Sequence, residues 1–136
     1  MRTITLIIIH CAATFPMQTY SPEQMRADHL RRGFCDIGYH YYIRRDGTCH
    51  PCRPLEQPGA HCRGHNRHSI GICYEGGLNV HGQPADTRTP EQREALLRLL
   101  AQLKQRFPRA VILGHHDLNP LKSCPCFDAA SEYSDL

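Results

Sequence analysis

The chain has 136 residues, 40% of them hydrophobic, and sixteen Lys and Arg against thirteen Asp and Glu give a formal net charge of +3. That length suits one domain spanning residues 1–136, and charges scattered without a like-charged block give no support to a nucleic-acid partner. The one long apolar run, residues 4–9, stops at His10, short of the roughly 20 residues of a membrane helix or the about 7–15 of a signal-peptide core, so neither membrane insertion nor export is expected and synthesis should be cytoplasmic.

In chain order, the β-branched and apolar stretch 3–9 predicts a strand buried on both faces, with His10 at its C-terminal end. Ser21-Pro22-Glu23-Gln24 offers an N-cap hydroxyl, a proline for the first helical position and a capping-box glutamine, so a helix should run towards Gly33. Arg26, Asp28, Arg31 and Arg32 mark its exposed face. Residues 39–45 read as a strand and Asp46-Gly47 as a hairpin turn into Thr48-Cys49-His50. A further buried strand is predicted over 69–75, ended by Gly76-Gly77, followed by polar loop over 82–87. Thr89-Pro90-Glu91-Gln92 repeats the capping chemistry, and Leu96, Leu99, Leu100, Leu103 and Phe107 form one core stripe at helical spacing. Pro108 stops that helix, residues 110–113 make a last buried strand, and Gly114 opens a loop carrying His115, His116, Lys122 and Cys124. The changing periods predict mixed helix and sheet, an α/β domain.

Eight Cys and ten His are the unusual part of the composition. They suit disulfides, metal or buried thiols. A disulfide framework is typical of small secreted domains without a core, whereas this chain has ample Ile, Leu and Val and no evident export signal. For metal, two sets compete. His10 and His115 sit at the C-terminal ends of two short apolar strands. If the strands are neighbours, the imidazoles converge and Cys124 can fold back to join them. Three protein ligands of this kind leave the fourth tetrahedral position open, as catalytic zinc requires. The rival set is Cys49-x-x-Cys52 with His61 or Cys62, a zinc-knuckle spacing whose second pair would be adjacent residues, a poor geometry for one tetrahedral ion.

Six collinear stretches carry a family resemblance: Ile8-Ile9-His10-Cys11-Ala12-Ala13-Thr14, Gly38-Tyr39-His40, Arg45-Asp46-Gly47-Thr48, Gly59-Ala60-His61 with Asn66, Ser69-Ile70-Gly71-Ile72, and Gly114-His115-His116-Asp117 with Lys122-Ser123-Cys124-Pro125. Together they resemble the zinc-dependent N-acetylmuramoyl-L-alanine amidases of the phage-lysozyme and peptidoglycan-recognition-protein type. The resemblance implies a mixed central β-sheet flanked by α-helices, one zinc ion per chain, and hydrolysis of the amide between the lactyl group of N-acetylmuramic acid and L-alanine. It also implies a peptidoglycan or muropeptide substrate, a monomer, and action on the bacterial wall after holin- or secretion-dependent release. Position by position, His10, His115 and Cys124 match the zinc ligands, the same residues that the strand-end argument selects.

Tyr39 matches the family's catalytic tyrosine, and Lys122 matches a lysine that some members use and others replace. Amide hydrolysis develops an oxyanion, which a phenol and an ammonium can stabilise. His61 matches a histidine on the far wall of the groove, there to contact substrate or to hold a loop, and Asp117 is expected to orient a ligand imidazole from behind. Asn66 reads as a loop-organising side chain and Asp36 as a turn or cap residue; Cys126 stands where a serine is common, and Cys11, Cys35, Cys62 and Cys73 read as small hydrophobes. The alternative function is a peptidoglycan-binding module without activity, the fate of members that lose the cysteine ligand; Cys124 argues for the enzyme.

Overall fold

The computed structural model describes residues 2–136. Strand β1 (Leu6–Cys11) lies inside the sheet because both of its edges are paired, in parallel, with β4 (Ser69–Tyr74) and β5 (Val111–Gly114). This is why its sequence is continuously apolar instead of alternating. β2 (Tyr41–Ile43) pairs in parallel with β4 and antiparallel with β3 (Cys49–Pro51), giving a mixed five-stranded sheet in the order β3-β2-β4-β1-β5.

Helices α1 (Pro22–Arg31) and α2 (Pro90–Arg106) begin where the capping chemistry places them, with reciprocal bonds between Ser21 and Gln24 and between Thr89 and Gln92. The α2 stripe of Leu96, Leu99, Leu100 and Leu103 packs with Ile7, Ile9, Ile70, Ile72 and Tyr74 into the main core on one face of the sheet. The other face is thinner. There Met25 of α1, Ile37, Tyr42 and Cys73 form a second, small cluster. Residues 8 and 10 of β1, and 69, 71 and 73 of β4, belong to this second face by alternation.

Three local expectations change. The strand expected over 39–45 shortens to Tyr41–Ile43, with Gly38, Tyr39 and His40 in a bend ahead of it. The backbone of 59–60 crosses there: Ala60 N–H donates to the Gly38 carbonyl at 2.9 Å, and a Cβ on Gly38 would lie 2.2 Å from the Ala60 oxygen. β1 runs on to Cys11, so His10 lies within the strand and not beyond its end. Phe107 caps α2 half-buried rather than completing its buried stripe.

The C-terminal segment, read as loop, contains two short helices, α3 (His115–Leu118) and α4 (Ala129–Glu132). It is fastened by Arg88, whose wholly buried guanidinium bridges Asp86 and Glu132, bonds the Tyr133 hydroxyl at 3.0 Å and lies 3.3 Å over the Phe127 ring. Carboxylates on two sides and an aromatic face below satisfy a cation that burial alone would make costly.

Candidate metal centre and its groove

β1 and β5 are register neighbours, Ile9 beside Gly114, so the residues that follow, His10 and His115, stand side by side with ring centroids 4.6 Å apart. Cys124 completes the set: one ligand atom each from His10, His115 and Cys124 lies within 4.8 Å of the others. Among the described residues this is the one group of three His, Cys, Asp or Glu side chains close enough to share an ion. The Cys49–Cys52 alternative is thereby set aside. Cys52 Sγ turns to the His50 carbonyl at 3.4 Å, and Cys49 packs against the main core. No disulfide joins any of the eight cysteines among the described residues.

The Cys124 loop is closed by three contacts that the sequence pattern does not reveal. The Tyr74 hydroxyl donates to the Pro125 carbonyl at 2.6 Å, and His116 N–H donates to the Cys124 carbonyl at 2.8 Å. Pro125 itself rests on Gly114, where a Cβ would come within 2.6 Å of the proline ring. Cys11 N–H points at Cys124 Sγ from 3.1 Å, a donor suited to a thiolate.

His10 is backed by a second imidazole. Its Nε2 shares a 2.8 Å hydrogen bond with His61 Nδ1, and His61 Nε2 lies 3.2 Å from Ser69 Oγ. The His61 ring sits over Gly71, where a Cβ would be 2.6 Å from its Cδ2 and Cγ. Asn66 Oδ1 accepts from His61 N–H and Cys62 N–H at 2.9 and 3.0 Å, the loop-organising role expected of it. His61 therefore lines the groove while both of its ring nitrogens are already engaged.

Asp117 departs from expectation. Its Oδ2 accepts from Gly114 N–H at 2.8 Å, capping α3, and no hydrogen bond joins it to the His10 or His115 ring among the described residues. A short helix starting at His115 leaves its first N–H groups unpaired, and the nearest carboxylate is taken up at that helix start. Asp117 thus acts on the turn that carries His115. Asp36 is the turn residue foreseen, accepting from Ile37 N–H at 2.7 Å.

The electrostatics suit a metal site. Burial, then the neighbouring His61 and His115 rings, holds His10 well below the ordinary histidine range. Burial, then His40 and His115, pushes His61 down to about 3. His115 is lowered by burial and by the charge of Lys122. All three imidazoles are neutral at pH 7, the form in which imidazole binds a metal. Tyr39 is pushed well above the ordinary phenol range by burial first, then by Cys73, Cys124 and Cys11, so its hydroxyl keeps its proton; its ring lies 5.1 Å from that of His10. Lys122 is exposed on the His115 side.

His10, His115 and Cys124 line an open groove of about 790 Å³ together with Tyr39 and Lys122. One free nitrogen on His10, neutral imidazoles and a sulfur facing a backbone donor make a three-ligand set with room for a fourth ligand, which fits zinc.

The sequence model of the N-acetylmuramoyl-L-alanine amidase family matches residues 1–127. The endolysin of Klebsiella phage KP32 is 41% identical over 122 residues, 90% of this chain and 80% of the endolysin. A peptidoglycan-recognition protein of Drosophila melanogaster is 33% identical over 143 aligned residues, 92% of this chain and 76% of that protein. Among solved structures, the N-acetylmuramoyl-L-alanine amidase LysC from Clostridium intestinale superposes with a TM-score of 0.81 at 29% identity, covering 97% of this chain and 83% of LysC. Drosophila PGRP-LB superposes with a TM-score of 0.80 at 26% identity, covering 98% of this chain and 81% of PGRP-LB.

Proposed function

The chain belongs to the N-acetylmuramoyl-L-alanine amidase family, and from that premise we propose that it lyses peptidoglycan through one zinc ion held by His10, His115 and Cys124 in a single catalytic domain. The observation that carries this reading is the convergence of those three ligand atoms within 4.8 Å beside the groove. Bound there, zinc supplies Lewis acidity towards the carbonyl of the amide between N-acetylmuramic acid and L-alanine and lowers the pKa of water.

The chain's own residues divide the remaining work. If His10 offers Nδ1 as its ligand atom, its Nε2–H would donate to His61 Nδ1 and His61 Nε2–H to Ser69 Oγ. That relay fixes the tautomer and the ring plane of His10. The engaged nitrogens make His61 a positioning residue for His10, with no ring nitrogen left over for substrate. Tyr39 donates its retained proton to the oxygen on which charge develops, and Lys122, in the groove lining and close enough to His115 to act on it, adds a positive charge. Both act as a monomer's own side chains on a muropeptide or wall strand, reached after phage-type release.

The test is incubation with purified peptidoglycan, reading new L-alanine amino groups against new reducing ends. Amino groups without reducing ends, lost on chelation and restored by zinc, are the expected result. Reducing ends, or zinc-loaded protein that binds the wall without cutting it, overturn the reading.

A further inference from the structure

Cys11, read from the sequence as a small hydrophobe, has its thiol set against another. Cys11 Sγ and Cys126 Sγ share a hydrogen bond at 3.8 Å. Both rest on Gly77: Cys126 Sγ–H donates to the Gly77 carbonyl at 3.5 Å, and a Cβ on Gly77 would lie 2.6 Å from Cys11 Sγ. Cys126 also carries its side chain at φ 70°, in the left-handed region that glycine occupies most readily. The pair lines the groove, with Cys126 half-buried and Cys11 8% exposed, so a small molecule in the groove reaches Cys126 first.

Other thiols are placed differently. Cys49 packs against the main core and Cys52 against the smaller cluster on the opposite face of the sheet. Cys73 Sγ turns to the Tyr74 carbonyl at 3.7 Å. Cys124 Sγ faces the Cys11 N–H and belongs to the ligand set. A disulfide holds its sulfurs about 2.05 Å apart, so Cys11 and Cys126 have about 1.8 Å to close, a distance within the reach of rotation about two Cα–Cβ bonds.

We propose that Cys11 and Cys126 are a redox-modification site, oxidised by a low-molecular-weight disulfide to a cross-link that staples the end of β1 to the loop beyond Cys124 and leaves the metal ligands in place. The Cys126 sulfur attacks one sulfur of the oxidant, forming a mixed disulfide and releasing one thiol. The Cys11 sulfur then attacks the Cys126 sulfur, the protein S–S bond forms and the second thiol leaves. The protein gives up two electrons and two protons, which the oxidant carries away as its two thiols. Cys11 follows His10, and Cys126 stands two residues beyond Cys124, so the bond joins the same two segments that a metal joins through His10 and Cys124. It closes most of the chain into one loop, the arrangement in which a disulfide restrains the unfolded chain most. The proposal rests on the amidase reading for its setting alone: an enzyme acting on the wall works outside the reducing cytoplasm, where such a bond persists.

The experiment is overnight incubation of pre-reduced, zinc-loaded wild type and Cys126→Ser with excess bis(2-hydroxyethyl) disulfide at mildly alkaline pH. After the oxidant is removed, peptide mapping of alkylated protein, zinc content, and melting temperature in excess chelator are read. Wild type should yield a Cys11–Cys126 cross-linked peptide, lose two of its eight thiols and keep its zinc. Its metal-free melting temperature should rise by about 10 °C or more and fall back on reduction with dithiothreitol. Cys126→Ser should keep its zinc, form no cross-link to Cys11 and gain no stability. A cross-link through Cys124, loss of zinc on oxidation, mixed disulfides alone, no loss of thiols, or a cross-link that leaves the melting temperature unchanged each overturns the proposal, and the mapping of wild type decides this whether or not the variant folds. Peptidoglycan turnover by the reduced wild type reports separately on the amidase reading: cutting without formation of the cross-link sinks only the redox site, and the cross-link without cutting sinks only the amidase.

Discussion

Gly71→Ala is a one-carbon test of how His10 is held. The added Cβ would lie 2.6 Å from Cδ2 and Cγ of His61 and 2.8 Å from its Nδ1, the atom bonded to His10. These are ring atoms of a side chain fixed at both nitrogens, so the ring must shift and the 2.8 Å bond to His10 is the contact that gives. Overpacking of this kind costs roughly 1–3 kcal/mol, whereas replacing glycine within a strand returns about 0.5–1 kcal/mol of chain entropy. The clash wins narrowly. Metal-free protein should melt only a few degrees lower, at about 2–4 °C per kcal/mol for larger domains and somewhat more for smaller ones. Zinc affinity should fall further, by about 10–100-fold, the usual cost of losing a partner behind a metal histidine. Competition for zinc against a chromophoric chelator measures the affinity, and melting in excess chelator measures the fold alone. A variant with wild-type zinc affinity would show that His61 does not position His10, and the relay through Ser69 would have to be abandoned.

Tyr39→Phe and Lys122→Met should each keep zinc content and melting temperature while lowering kcat on peptidoglycan by about tenfold or more, against the hundredfold to thousandfold typical of a lost oxyanion donor; full activity in Lys122→Met would return all charge stabilisation to Tyr39 and the metal. Leu100→Ala removes a fully buried α2 side chain from the main core and should cost about 2–5 kcal/mol in denaturant unfolding with ligand geometry intact, while a loss below about 1 kcal/mol would mean that the core closes over the gap. The depressed pKa values of His40, pushed down to about 4 by burial, and of His61, pushed to about 3, leave the unfolded chain binding more protons below about pH 6.5. The metal-free protein should therefore lose stability from about pH 6.5 downward, before carboxylates titrate, and a flat melting temperature between about pH 7 and 5 would contradict that.

Much of the fold was legible because its signals are local. The two capping boxes, the α2 leucine stripe and the unbroken apolar runs of β1, β4 and β5 each announce one element, and the structure has all of them. The convergence of His10, His115 and Cys124 was legible too, but only through the conditional that β1 and β5 are neighbours, which their register satisfies. What escaped depends on contacts between distant segments. Nothing in residues 39–45 reports that the backbone at 59–60 crosses against Gly38 and delays β2, so Tyr39 reaches the groove from a bend and not from a strand. Asp117 shows the same limit from the other side. A carboxylate two residues after His115 is well placed in sequence to reach an imidazole, yet the nearer Gly114 N–H takes it. The partner that His10 does have lies far along the chain, in His61, and its seat is made by the missing side chain of Gly71. Ligands of a metal are chosen from a few residue types and leave a pattern, whereas the groups that aim them are chosen by position in space. Glycines at 71 and 114, each accommodating a ring that packs on it, are where that spatial requirement does leave a mark in the sequence.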